Sequence, residues 1–515
     1  MNKILIQILI IFLLAAVRVH AQQRPNIVLI ISDDHAYQAI SAYGSKLMQT
    51  PSIDRIAREG VLFKKGYVTN SICGPSRAVI LTGKYSHKNG FKDNENSRFD
   101  GSQNSFIKEL TRSGYQTAWI GKWHLETQPQ GFTFWKILPG QGQYYNPDFL
   151  TMDGGKTRME GYVSNLIEDE AEQWLDHRDS TQPFCLVIGH KATHRTWIPD
   201  TCDMGRFDNI TFPLPHNFYD HYEGRAAAQR QDMTISKTMV MGYDLKMIDN
   251  EAAELKESTI NRMNAAQLAK FDAYYKPIEA ELKAKNLTGN ALTEWKYQRY
   301  MKDYLSTAAS LDRNIGRTLD YLDQHHLTQN TIVIYLSDQG FYLGEHGWFD
   351  KRWIYEESFR TPMVMRYPGA IKAGTINNDF VMNLDIAPTL LQAAGVAIPK
   401  DMQGLSFLPL LQHKAKGRNA LYYHYYENGE HKVSPHFGVK TKRYKLIRFY
   451  KRVNGWELYD LKKDPGEMHN VFGKKGYEKI TDQLHQLLMQ MIDQYEDEDA
   501  RQILNNKMAD EPKSF

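Results

Sequence analysis

The chain has 515 residues, 42% of them hydrophobic and 24% charged, which fits one large globular domain with a smaller one and excludes a disordered chain. Lysine and arginine number 63 against 60 acidic residues, a balance that gives no support to nucleic-acid binding. Only three cysteines are present, too few for a disulfide-stapled secreted scaffold.

The N-terminus reads as an export signal over residues 1–21. Lys3 opens a short charged region, residues 4–17 are apolar except for Gln7, and Val19-His20-Ala21 offers a small-residue cleavage site before Gln22. The apolar run is stopped by Arg18 and falls short of the about 20 residues that a membrane span needs, so cleavage is favoured over anchoring. No cysteine near the cleavage site invites a lipid anchor. The mature protein is expected in the periplasm or secreted, from a bacterial source, with no stable membrane insertion.

Next, β-rich runs alternate with helical stretches. This pattern predicts an α/β fold with a large, mostly parallel sheet sandwiched by helices, assigned to residues 22–415. Four runs release ionisable residues at their C-terminal ends. Residues 26–31 lead into Ser32-Asp33-Asp34-His35, and 116–120 into Gly121-Lys122-Trp123-His124. Residues 184–188 lead into Gly189-His190, with His194 close behind, and 331–336 into Ser337-Asp338-Gln339-Gly340. Parallel sheets bind ligands at such ends. Residues 249–304 read as a helical excursion, and 304–322 as an amphipathic helix on the sheet. Runs at 422–426, 437–439, 444–449 and 456–459 predict a small antiparallel sheet. With a closing helix at 483–495 it forms a C-terminal subdomain, residues 416–515.

Adjacent acids such as Asp33 and Asp34 repel unless a cation or basic group lies between them. With Asp338 and the amide oxygen of Gln339 they form an all-oxygen donor set, which favours calcium or magnesium over zinc. Cys73 is followed by Gly74, Pro75, Ser76 and Arg77 rather than by apolar residues. Pro75 suits the first turn of a helix that ends near Gly83. Cys73 is thereby placed at a helix N-terminus, where amides attract anions, with Arg77 one turn further on. Cys185 reads as a core residue, and its pairing with Cys202 is left open.

Cys73-Gly-Pro-Ser-Arg77, followed by Leu81-Thr82-Gly83, resembles the signature of the type I, formylglycine-dependent sulfatases of the alkaline phosphatase superfamily. Pro25-Asn-Ile-Val, Asp33-Asp34, Gly121-Lys-Trp-His-Leu125, Asp338-Gln-Gly340 and Leu458-Tyr-Asp-Leu461 extend the resemblance over nearly the whole mature chain. It implies that a formylglycine-generating maturase oxidises Cys73 to formylglycine (3-oxoalanine). It also implies that Ca2+ is held by Asp33, Asp34, Asp338, Gln339 and the modified Cys73. One hydroxyl of the hydrated aldehyde then attacks sulfur and releases the alcohol, and elimination of sulfate restores the aldehyde. By the same resemblance Arg77 and Lys122 neutralise the nucleophile and sulfate region. His124 is the base for elimination, His194 protonates the leaving oxygen, and Lys351 binds sulfate or assists the leaving group. Two departures stand out. Gln339 replaces a frequent Asn, and the prolines that often flank the leaving-group histidine are missing around His194, which keeps His190 as a rival.

The run 344–353, with Tyr355-Glu356-Glu357, is similar to bacterial sulfatases that remove 6-O-sulfate from N-acetylglucosamine of heparan/heparin-type or mucin glycans. A sulfated glycan is the expected substrate. Arg352, His431 and His436 are candidate contacts to sugar hydroxyls or acidic neighbours. Trp348 and Trp353 read either as sugar platforms or as core. Other readings stay open because a fold does not choose a substrate. They are action on 2-O-sulfated uronate or galactosamine sulfate, a broad arylsulfatase, a phosphoesterase or phosphonate hydrolase, and a non-catalytic glycan-binding relative.

Overall fold

The computed structural model describes residues 24–247 and 253–505; the expected signal segment, residues 1–21, lies outside them. Five parallel strands form the centre: β1 Asn26–Ser32, β2 Gln116–Lys122, β3 Phe134–Leu138, β4 Phe184–Gly189 and β5 Thr331–Ser337, in the order β5-β1-β4-β2-β3. The sequence of β1, Asn-Ile-Val-Leu-Ile-Ile-Ser, is buried at all seven positions, as a parallel strand covered on both faces requires. Its side chains alternate between two cores. Val28 and Ile30 pack with Tyr304, Leu305 and Ala308 of helix α2, Gly289–Gln324. Ile27, Leu29 and Ile31 pack with Ala78, Ile80 and Leu81 of helix α1, Cys73–Thr82. Shorter strands, several of them antiparallel, extend both edges to ten strands. The fold is therefore α/β, with a mixed sheet that is parallel through its centre.

A separate antiparallel meander follows, β6 Ala420–Tyr425, β7 His436–Thr441, β8 Tyr444–Phe449 and β9 Gly455–Asp460, covered by helix α3, Glu478–Tyr495. Leu484, Leu488, Met491, Ile492 and Tyr495 make the buried stripe of α3. The helix starts five residues before the predicted 483, because its polar first turn carries no apolar periodicity. Trp348, Trp353 and Tyr355 share this third core, so the meander braces the segment that carries Lys351 and Arg352. All three cysteines are free, so Cys185 and Cys202 are not paired.

Candidate active site

Main-chain hydrogen bonding continues past the strand ends and knits their loops into one mouth. Asp338 N–H donates to Ser32 O at 3.1 Å, Asp33 N–H to Ala192 O at 3.0 Å, and His190 N–H to Ile31 O at 2.8 Å. Gly121, at φ 97°, lies where β2 and β4 nearly touch. A Cβ there would fall 2.1 Å from Gly189 O, so only glycine lets Lys122 lie beside the 190–194 loop.

Cys73 is the first residue of α1, after an extended cap at Ile72. Gly74 N–H donates to Asn94 Oδ1 at 3.2 Å, tying that helix end to a second loop. Burial pushes the Cys73 thiol up to about 12, with Lys351 opposing. The unmodified side chain is thus a neutral thiol at pH 7 and a poor nucleophile. Arg77 is fully buried one turn later, with Nε 3.0 Å from Asp338 Oδ2 and NH1 donating to Lys122 O at 3.0 Å.

Asp33, Asp34 and Asp338 are all fully buried, and each offers a carboxylate oxygen within 4.8 Å of the other two. In this structure basic side chains neutralise them. Lys122 pairs with Asp33, Arg77 with Asp338, and Lys351 Nζ lies 2.8 and 2.7 Å from the two oxygens of Asp34. Burial still pushes Asp34 up to about 6 against the pull of Lys351. Gln339 Nε2 donates to Asp34 Oδ1. Two oxygens, Asp33 Oδ1 and Gln339 Oε1, are buried without a hydrogen-bond partner among the described residues. Orphaned acceptors of this kind are costly in a dry interior. Clustered acids plus orphaned oxygens fit a hard divalent cation with oxygen ligands. The Cys73 thiol and a His194 ring nitrogen also lie within 4.8 Å of each other and of an Asp33 oxygen.

The structure separates the two rival histidines. His194 lines the cavity above the acids; its Nδ1–H donates to Arg195 O at 2.7 Å, and Nε2 lies 3.9 Å from Asp34 Oδ2. Burial, reinforced by Lys122 and Lys351, holds its pKa well below the ordinary range. His190 is fully buried away from the cavity lining, with both nitrogens unpartnered among the described residues and its pKa pulled down to about 3 by burial and Arg77. His124 does line the cavity, and Gln141 Nε2 lies 3.2 Å from its Nε2. Asp34, His124, Asp350 and Arg352 all have positive φ, between 55° and 92°. Such strain costs about 1–3 kcal/mol per residue and persists only where the surroundings over-determine the backbone.

The cavity has a volume of about 460 Å3 and is lined by Cys73, His124, His194, Lys351 and Arg352. Arg352 is 4% exposed and pairs with Asp350 at 2.7 Å and Glu430 at 2.8 Å. His431 stands behind it, with Nε2 2.8 Å from Asp350 Oδ2, and is not part of the lining. The expectation for His436 is corrected. Its ring is fully buried, Nδ1–H donates to Ser434 O at 2.8 Å, and Nε2 accepts from Ile354 N–H at 3.1 Å. It packs against Trp353 and Tyr423 as a core residue, beyond the reach of a sugar. Trp348 and Trp353 are likewise 0% exposed and belong to the core.

Asn94 and Gln141 also line the cavity and were missed in the sequence. Gln141 follows β3 in a Gly140-Gln141-Gly142 turn, a fifth polar exit from a parallel strand, which is the signal that should have flagged it. Asn94 sits in the polar stretch 92–97, which carries no distinctive pattern.

The pattern of the sulfatase family matches residues 25–396, from the first strand through every residue named around Cys73. This chain belongs to the sulfatase family. A second pattern, the C-terminal part of N-sulphoglucosamine sulphohydrolase, matches residues 344–494. The sulfatase is 49% identical over 493 residues to an N-acetylglucosamine-6-O-sulfatase from Bacteroides thetaiotaomicron, covering 93% of this chain and 88% of that one. It superposes with a TM-score of 0.90 on a solved structure of a relative in complex with its substrate D-glucosamine-2-N,6-O-disulfate. That match is also 49% identical and covers 93% of this chain and 99% of the other. Human N-acetylglucosamine-6-sulfatase is 27% identical over 76% of this chain and 65% of its own length. The protein is therefore a sulfuric ester hydrolase, of a family that generally uses formylglycine and a divalent metal. No described helix of this sulfatase is long and apolar enough to cross a membrane.

Proposed function

We propose that this sulfatase is an exported enzyme that removes 6-O-sulfate from terminal N-acetylglucosamine of heparan/heparin-type or mucin glycans, using formylglycine made from Cys73. One observation carries the reading. Cys73 heads a buried helix against three acids, three basic side chains and His194, in a chain 49% identical to an N-acetylglucosamine-6-O-sulfatase over 93% of its length. Calcium would be held by Asp33, Asp34, Asp338, Gln339 and the modified Cys73, and would supply Lewis-acid chemistry there.

The chain's own residues do the rest. Arg77, Lys122 and Lys351 offset the charge of the sulfate group. His194, its Nδ1–H pinned to Arg195 O, turns the lone pair of Nε2 toward the acids; a sulfate anion in the cavity favours protonation of that nitrogen, and the imidazolium so formed is placed to pass the Nε2 proton to the departing alcohol. His124, in the same cavity, serves sulfate elimination. Arg352 and Asp350 offer the cavity wall a donor and an acceptor for sugar hydroxyls. A cavity of about 460 Å3 suits one terminal sugar, which supports exo action. Residues 1–21 direct export, and a formylglycine-generating maturase acts on Cys73 first.

The test is sulfate release from N-acetylglucosamine-6-sulfate by protein co-expressed with a formylglycine-generating enzyme and supplied with calcium. Cys73→Ala and the matched N-acetylgalactosamine-6-sulfate run beside it. Release from the glucosamine sugar alone, absent in the variant, is expected. No release, with formylglycine confirmed by mass spectrometry, rejects this sugar as a sufficient substrate.

A further inference from the structure

His194 sits on a short loop in which each carbonyl from 194 to 197 has a donor. His194 O accepts from Tyr144 OH at 2.5 Å and from Trp197 N–H at 3.1 Å. Thr196 O and Trp197 O accept from Lys246 Nζ at 2.7 and 3.1 Å. Between them, Arg195 O has one donor among the described residues, the Nδ1–H of His194 itself. No second donor braces that carbonyl, so what fixes Arg195 beyond its held neighbours is its own side chain.

That side chain is gripped at its head. Asp244 is fully buried and meets Arg195 with both carboxylate oxygens: Nε lies 2.6 Å from Oδ1 and NH2 lies 2.9 Å from Oδ2. A fork of this kind fixes direction as well as distance, which a single ammonium cannot do. The ring centroids of Tyr243 and Phe349 each lie 5.2 Å from the guanidinium carbon. Asp244 also closes its own turn, with Val240 N–H donating to Oδ2 at 2.7 Å and Asp244 N–H to Val240 O at 2.9 Å. Val240, Tyr243 and Arg195 line the catalytic cavity, whereas Asp244 is not part of the lining.

We propose that Asp244 is a positioning residue for the leaving-group acid: by holding the Arg195 fork, it fixes the carbonyl that takes the Nδ1–H of His194 and so keeps Nε2 turned into the cavity. The proposal rests on the sulfatase reading, in which His194 protonates the departing alcohol. Nδ1–H donates to Arg195 O in both the neutral and the protonated ring, so the clamp is indifferent to the charge of the imidazole. Asp244 makes and breaks no bond. The proton that moves leaves Nε2 for the alcohol oxygen as the bond from sulfur to that oxygen breaks. A catalytic group displaced by about 1 Å can lose about a hundredfold in rate with its own chemistry intact.

The test is a double-mutant cycle in calcium-supplied protein with formylglycine at position 73, read on N-acetylglucosamine-6-sulfate. Asp244→Asn keeps the shape and loses one acceptor of the fork. Expected is a kcat about tenfold lower, with KM within about threefold. His194→Ala alone should lose about a hundredfold or more. Asp244→Asn added to it should change kcat by less than about twofold, because the acid that Asp244 positions is gone. Arg195→Lys keeps the charge and loses the fork; it should repeat both kcat results, and it carries the test if Asp244→Asn does not fold. The 15N-edited proton spectrum of histidine-labelled protein, with the His194 signal identified by its loss in His194→Ala, should show a slowly exchanging Nδ1–H in the parent that exchanges faster in Asp244→Asn. A kcat in both variants equal to that of the parent, or an equal fall with and without His194, overturns the proposal. If the parent turns over no sulfate ester, the sulfatase reading fails instead, and the spectrum still decides whether Asp244 holds His194.

Discussion

Arg77 and Asp338 meet side chain to side chain, with Nε and NH2 of the guanidinium both 3.0 Å from the same carboxylate oxygen, Oδ2. The contact ties the helix of Cys73 to the end of β5. Removing one partner of a fully buried pair typically costs about 3–5 kcal/mol, because a charge is left uncompensated. Arg77→Met should lose stability of that order without calcium and less with calcium, since a cation at the acid cluster compensates Asp338. Urea unfolding in both conditions checks this, and an equal loss in the two would place Asp338 outside the cation cluster.

Calcium itself should stabilise the fold. Asp33, Asp34 and Asp338 repel one another, and Asp33 Oδ1 and Gln339 Oε1 wait for a partner. At about 100 times its dissociation constant, a ligand bound only to the folded state adds about 2.7 kcal/mol. Chelation should therefore lower the melting temperature, and Asp34→Asn should blunt the recovery when calcium returns. A melting temperature indifferent to chelator and to calcium would exclude the site.

Cys73 is needed for chemistry and little for stability. Its thiol is a small buried group, so Cys73→Ala should cost no more than about 1–2 kcal/mol. Sulfate release should fall by about a thousandfold or more, as when a nucleophile is removed from other hydrolases. Near-normal turnover in Cys73→Ala would disprove the nucleophile assignment.

Arg352 and His436 should part company on mutation. Arg352 lines the cavity, so Arg352→Ala should reduce kcat/KM by about tenfold or more, mainly through KM. His436→Ala leaves Ile354 N–H unsatisfied and a gap beside Trp353, which should cost about 2 kcal/mol or more. The folded fraction of His436→Ala should keep its KM, and a raised KM would restore His436 as a substrate contact.

Acid should release a latch far from the site. Burial works against the Asp497 carboxylate, but His424, with Nδ1 2.7 Å from Oδ2, and His87 outweigh it and hold its pKa well below the ordinary range. A depressed carboxylate adds stability above its unfolded pKa of about 4 and loses it as pH falls through the folded value. Asp497→Asn should cost stability at pH 7, with the gap to the parent narrowing below about pH 4. A gap constant from pH 7 to pH 3 would mean that neutral hydrogen bonds, such as that from Tyr422 OH, carry the effect.

The parallel core, the helix of Cys73 and the acids at the strand ends were legible because their signals are local. A buried parallel strand needs a continuous aliphatic run such as Ile27 to Ile31, a helix start favours Pro75, and a helix end favours Gly83, here left-handed at φ 62°. What the sequence could not decide was direction across the sheet. Arg77 and Asp338 stand 261 positions apart, and only the pairing of β1 with both β4 and β5 brings their elements to one mouth. The choice of His194 over His190 for the cavity, the withdrawal of His436 into the core and the arrival of Gln141 beside His124 likewise follow from register and from the tight Gly121–Gly189 approach. Residue type fixes what a side chain can do, whereas its neighbours are set by chain segments hundreds of residues away.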